Sequence, residues 1–373
     1  MLSTILSAAL LGSQLALALP AAHGGPGWYS TATSPASASQ TPFKFPLPNG
    51  FPNIQIPSTK LTTIEKAAHG TLPNTPLASK LAPADVTSFQ LIAFNEIFEV
   101  AFFSSLLRNI TSNVAGFGVG SPEVQKSVVK ALRAVHAQEQ LHALGANAIL
   151  TAAGAEAIQP CEYIFPSDNF DSAISLARTF TDVVMGTLQD AQNGLAVNGD
   201  DEYVGLIGAI IGQEGEQTGY YRSLLDLVPS ELPFLTRSTG PWAYFALNQN
   251  FIVPGSCPNA HIIDLPILGP LKLETPNVEA KDQTLTFSFT NNGTDTSSMS
   301  LVYQNQQNLP IVEKPRNIRT SGNTVTFDVS LPYEENIMNG LTLAVITDIA
   351  GPFSSADDVA AVTLFGPALI EID

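Results

Sequence analysis

Hydrophobic spacing divides the chain into a part with helical period and a part that alternates. In residues 124–150, Val128, Ala131, Leu132, Val135, Ala146 and Ile149 recur as one apolar helical stripe. Glu139 and His142 fall inside that stripe, three residues apart and so on one face. Burying an unpaired carboxylate costs several kcal/mol or forces it neutral, so this pair predicts either a bound metal or a hydrogen-bonded Glu–His pair. Residues 85–107 form a helix apolar on most sides, with Leu91, Phe94, Phe98, Phe102 and Leu106 in one stripe and Asp85 as its expected N-cap. Glu96 and Glu99 sit among those phenylalanines. A third helix over 172–196 carries Ala177, Phe180, Val184, Leu188, Ala191 and Leu195, with Asp182 on the opposite side and no carboxylate in the middle of its apolar face. A fourth, over 203–227, has Glu214 among Ile207, Ile210, Ile211 and Tyr221, and Gln217 three residues on. Gly205, Gly208, Gly212, Gly215 and Gly219 share its other face, which predicts close packing against another backbone. Four such helices with short connections predict a bundle over 81–228.

From residue 271 the period becomes two. Residues 283–289 and 323–329 alternate strictly, and 301–303, 341–346 and 359–365 are further strand candidates between turn signals. This predicts a β-sandwich-like domain over 271–373, with no His cluster, Cys or nucleophile motif, and therefore a packing or interaction module. The fold class is thus α+β with more than one domain. Residues 229–270, rich in Pro and aromatics, form an extension between the two.

Composition narrows the setting. A net charge of −17 with only 16 Lys and Arg argues against nucleic acid and anionic membrane surfaces as partners. Residues 1–18 are apolar and end in Ala16-Leu17-Ala18, the pattern of a cleaved signal peptide, and Pro20 stops them short of a membrane anchor. Residues 19–80, rich in Pro, Ser and Thr, read as a largely unstructured leader, with parts expected to lie over the first domain because Phe43, Phe45 and Phe51 need somewhere to go. In a secreted chain the pair Cys161 and Cys257 reads as a disulfide pinning 229–270 onto the loop between the second and third helices; two buried thiols are the other reading. Asn109-Ile110-Thr111 and Asn292-Gly293-Thr294 are glycosylation sequons. The expected location is extracellular, with cell-wall association as an extension of that reading.

Particular stretches resemble a known group. These are Phe94-Asn95-Glu96-Ile97-Phe98-Glu99, His136-Ala137-Gln138-Glu139-Gln140-Leu141-His142, Gly186-Thr187-Leu188-Gln189-Asp190, and Gly212-Gln213-Glu214-Gly215-Glu216-Gln217-Thr218-Gly219-Tyr220-Tyr221-Arg222. With the ending Thr363-Leu364-Phe365-Gly366-Pro367, they are similar to the secreted fungal ferritin-like proteins of the late sexual development and stress-response type. The resemblance implies a ferritin-like four-helix bundle with a β extension. Di-iron bundles place a Glu on each of two helices and Glu-x-x-His on each of the other two. By resemblance, Glu96 (with Glu99 beside it) matches the first-helix position, Glu139 with His142 the second-helix pair, and Glu214 the fourth-helix carboxylate. Two positions depart: Gln217 stands where a His is expected, and an apolar residue near Val183 or Val184 where a Glu is expected. The expectation is a non-catalytic secreted protein with a degenerate site that holds no metal or a single iron or manganese ion. A metal-binding protein or metal-dependent oxidase built on the residual ligands is the alternative. Partners, on this reading, are cell-wall components or proteins meeting the β-domain, and a cage of the iron-storage type is not expected.

Overall fold

The computed structural model describes residues 41–296 and 298–373; the expected signal segment, 1–18, and the leader up to residue 40 lie outside the described residues. Its helices and strands follow the period change. Helix α1 (Thr59–Ala68) precedes the bundle helices α2 (Pro83–Thr111), α3 (Pro122–Ala152), α4 (Phe170–Asn198) and α5 (Val204–Leu224). Helix starts follow local chemistry. Ser121 accepts a hydrogen bond from the Val124 N–H, and Asn169 and Ser172 form a capping box on α4. Asp85 does not cap α2. Ala82 holds that position, Pro83 begins the helix, and Asp85, fully buried in the first turn, accepts from Asn198 Nδ2 at 2.9 Å. Among the described residues α2 is the helix long and apolar enough to span a bilayer, yet 83% of its most apolar window is buried. It is the central helix of the bundle, surrounded by protein.

Two expectations fail here. Residues 41–80 are folded rather than an unstructured leader. Phe43 and Tyr163 exchange backbone hydrogen bonds, Phe51 is fully buried, and α1 lays Leu61, Ile64 and Ala68 against α3. A polar, proline-rich composition hides a few apolar anchors that gain a site only once the bundle surface exists. Nor does the glycine face of α5 pack on another backbone. Gly205, Gly212 and Gly215 are exposed, and of the five only Gly219 has backbone near its missing Cβ, the Pro229 carbonyl at 3.4 Å.

The close approach falls at Gly186 of α4 instead, where a Cβ would lie 2.4 Å from the Thr236 carbonyl and 2.9 Å from the Ser238 nitrogen. That strand of extension is itself held, since Thr236 Oγ1 donates to the Leu341 carbonyl at 2.6 Å. Gly186→Ala must therefore push α4 off residues 236–238. We expect a loss of about 1–3 kcal/mol in denaturant unfolding, against none for alanine at the exposed Gly212 beyond its helix-propensity gain.

After helix α6 (Gly240–Asn250) come strands β1 (Leu271–Leu273), β2 (Gln283–Thr290), β3 (Ser300–Asn305), β4 (Ile311–Glu313), β5 (Arg316–Ser321), β6 (Thr324–Leu331), β7 (Gly340–Thr347) and β8 (Thr363–Ile372). They form two antiparallel four-stranded sheets, ordered β1-β2-β6-β5 and β4-β3-β7-β8. Phe287, Phe327, Leu301, Tyr303 and Ile370 meet in the core between the sheets. The strand expected over 359–365 is corrected: Ala356–Ala360 is a short helical turn, and β8 starts at Thr363. β7 is buried at every position. Its Ala344 and Ile346 belong to the sandwich core, whereas Leu341, Leu343 and Val345 belong to the core of the bundle. The second sheet thus lies between the helices and the first sheet, which is why Leu341–Ile346 does not alternate. Helix α6 fills the junction, with Trp242 fully buried and its Nε1 donating to Thr363 Oγ1 at 3.1 Å. Cys161 and Cys257 form a disulfide across a sequence separation of 96.

Candidate metal centre

Three helices bring the predicted residues together. Glu96 of α2, Glu139 and His142 of α3, and Glu214 of α5 each offer one ligand atom, and these atoms all lie within 4.8 Å of one another. His142 Nδ1 is the hub, 2.9 Å from Glu139 Oε2, 3.3 Å from Glu96 Oε2 and 3.4 Å from Glu214 Oε1. The three carboxylates are fully buried, and the His142 side chain, 14% exposed, is the group that reaches towards solvent. Glu96 and Glu214 have no hydrogen-bond donor on either oxygen. Burial, and then the neighbouring carboxylates, push the Glu214 carboxyl well above its usual range; burial pushes Glu96 up to about 7 against the pull of His142. Burial alone would lower the imidazole of His142, but the surrounding carboxylates outweigh it and hold its pKa well above the ordinary value. A point that favours positive charge this strongly, faced by the donor-free oxygens of Glu96 and Glu214, suits a cation.

The other two sequence candidates stand outside that ring. Glu99, also fully buried, accepts from Asn95 Nδ2 at 2.8 Å and is not among the four converging groups. Gln217 Nε2 donates to Glu139 Oε1 at 2.5 Å, and its own Oε1 accepts from the Tyr221 hydroxyl at 2.8 Å. Both ends of the Gln217 amide are therefore in use, and its role is to hold Glu139 in place. Helix α4 passes the bundle core with Val183 and Val184 and adds no ligand to the group. The sequons fall at a half-buried Asn109 in the last turn of α2 and an exposed Asn292.

Residues 84–227 match the family model of the ferritin-like domain. Over these residues the chain has a ferritin-like fold. No curated protein matches the chain. The matched segment covers all four bundle helices and every residue of the converging group, and it ends before the extension and the two sheets.

Beside the ferritin-like site, His136 of α3 was missed because it lies off the Glu139–His142 stripe. Gln140 Nε2 lies 3.3 Å from its Nδ1, which makes Nδ1 the acceptor and leaves Nε2–H to donate to Ser104 Oγ at 2.8 Å. Asn49, from the folded leader, donates to Gln140 Oε1 at 2.7 Å and fixes the arrangement. Burial lowers the imidazole to about 4, despite Glu139 nearby. The unfolded chain therefore takes up a proton near pH 6.5 that the folded chain refuses until about pH 4. Stability from this residue is complete above the ordinary value and is lost as the pH falls towards 4. Comparing denaturation of the parent with His136→Gln across that window, we expect the parent to lose about 3 kcal/mol more than the variant.

A second acidic group also escaped the sequence reading. Asp182 of α4, Glu231 of the extension and Glu371 of β8 each place one oxygen within 4.8 Å of the others. Arg178 and Arg222 flank them: Arg178 Nη2 lies 3.4 Å from Glu371, Arg222 Nη1 lies 2.9 Å from Glu231, and both guanidiniums contact Asp373. Asp182 read as the polar side of its helix, but the second sheet covers that side. The one sequence signal was Arg178 four residues before it, on the same face.

Proposed function

We propose that this chain is a secreted protein whose ferritin-like domain holds a single iron or manganese ion as a structural centre, not a pair of irons for oxidation. The observation that carries this is the set of donor-free oxygens of Glu96 and Glu214 facing His142 Nδ1 and Glu139. Glu96, Glu139, His142 and Glu214 supply three carboxylates and one imidazole, a mixed set suited to a first-row metal. Bound there, the ion would neutralise the buried carboxylates and tie α2, α3 and α5 together. A second ion would need further inward ligands. The engaged amide of Gln217 and the apolar Val183 and Val184 speak against them. Secretion is supported by the apolar residues 1–18 with their small-x-small ending and by the disulfide. On this reading the β-sandwich is the part that meets partners.

Elemental analysis of the purified chain beside a Glu139→Ala, His142→Ala variant tests it. One iron or manganese per chain, falling at least tenfold in the variant, is the expected result. Two atoms lost together in the variant would replace this reading with an oxidase. No metal in either protein would make the group a proton-sharing cluster of acids and overturn the proposal.

A further inference from the structure

The second acidic group has no part in the proposal above, and its charges do not balance. Asp182, Glu231, Glu371 and Asp373 bring four carboxylates to Arg178 and Arg222, so full ionisation leaves two negative charges on a group in which Asp182 and Glu371 are buried and Asp373 is exposed. The two guanidiniums are turned mainly towards Asp373 and Glu231, though Arg178 Nε has no acceptor. Arg178 grips Asp373 through Nη1 at 2.7 and 2.9 Å, and Arg222 uses Nε on the Val228 carbonyl at 2.6 Å and Nη1 on Glu231 and Asp373. Asp182 gets none of this. It is 5% exposed, neither of its oxygens has a hydrogen-bond donor, and no Lys, Arg or His nitrogen of the described residues lies within 4.0 Å of it. Both oxygens of Glu371 likewise lack a hydrogen-bond donor, and its one ionic neighbour is the more distant Arg178 Nη2 at 3.4 Å.

We propose that Asp182, Glu231 and Glu371 form a calcium site that clamps the β-sandwich onto the ferritin-like domain. The ligand atoms are all oxygens, which selects a hard cation over the transition metals suited to the histidine-bearing site. Their mutual spacing, within 4.8 Å, lets one ion reach all three, and calcium takes such protein carboxylates in flexible geometry, whereas magnesium keeps most of its waters. One divalent ion also cancels the two charges that the arginines leave. The three ligands come from α4, the extension and β8, so the ion would join three segments far apart in sequence at the surface where the sheet meets the bundle.

The test is calorimetric, on the full chain stripped with a chelator and given calcium chloride alone. We expect the melting temperature to rise with calcium, by about 2–4 °C at saturation, and titration to show one site. Asp182→Asn, and separately Glu371→Gln, should weaken calcium binding at least tenfold, while Glu139→Ala keeps the calcium response of the parent. No response of the parent up to about 10 mM calcium, beyond the range of weak extracellular sites, would overturn the proposal and leave shared protons as what neutralises the cluster. So would an undiminished response in the Asp182 and Glu371 variants. If one variant fails to fold, the other and the parent titration still decide.

Discussion

A chain with alanine at Cys161 and Cys257 unfolds about 4–5 kcal/mol more easily than the parent, and chemical reduction of the parent reproduces the loss. The bond closes a loop with a sequence separation of 96 residues. Cross-linking a loop of that length removes conformational freedom from the unfolded chain worth about 4–5 kcal/mol by the chain-entropy relation. The closed loop contains α4, α5 and α6, and so two of the four bundle helices. In the folded state the bond ties the loop after α3 to the segment after α6, where Val253 N donates to the Glu162 carbonyl at 3.0 Å and Ile164 N to that of Phe251 at 2.8 Å. Those backbone bonds keep the geometry in place without the sulfurs, so the effect should fall on the denaturant midpoint and leave the native circular dichroism unchanged. An unaltered midpoint would show that residues 161 and 257 are already held near each other in the unfolded chain.

Phe98→Ala should cost about 3–5 kcal/mol, at the upper end of single core truncations. Phe98 is fully buried on α2, and its ring lies 4.8 Å from Phe251, 5.2 Å from Phe180, 6.0 Å from Phe165 and 6.1 Å from Tyr163. These rings come from α4, the loop after α3 and the segment after α6, so a single side chain joins the bundle to its covering. Edge and tilted packing of such rings adds to the area they bury. Tyr163 of the segment that carries Cys161 and Phe251 of the segment that carries Cys257 line this cage, so the disulfide and Phe98 report on one contact region. In the combined variant the losses should fall short of their sum by at least about 0.5 kcal/mol. Strict additivity in urea unfolding would mean that the disulfide acts only on the unfolded chain. The Phe98 variant should also keep the metal content of the parent, because the ring packs on Phe251, Phe180, Phe165 and Tyr163, none of which belongs to the converging group, whereas the Glu139 and His142 variant should lose it.

The bundle helices were legible because each carries its own signal. The stripe Val128, Leu132, Val135, Ile149 marks α3, and Phe94, Phe98 and Phe102 mark α2 so strongly that only the boundaries moved, by a few residues. Glu96, Glu139, His142 and Glu214 were legible for the same reason. A carboxylate or imidazole inside an apolar stripe stands out in one dimension, and helical spacing already says that it faces inward. The strands that alternate, β2 and β6, were equally plain. Where the signal was compositional, over residues 41–80, the reading placed Phe51 against the first domain but missed α1, whose apolar face acquires its meaning only from the surface it covers.

By itself, then, the sequence determined the four helices, the change to strands at residue 271, the inward carboxylates and the cysteine pair. All of these rest on local period or on a residue type with few uses. The tertiary structure alone decided that Glu99 is held aside by Asn95, that Gln217 serves Glu139, that β7 is covered on both faces, and that Asp182 meets Glu231 and Glu371 beneath the second sheet. Each of these depends on which distant segment lies opposite a given face. A helix or strand specifies the direction of its side chains through its own period, but what they meet is set by the packing of elements far away in the chain.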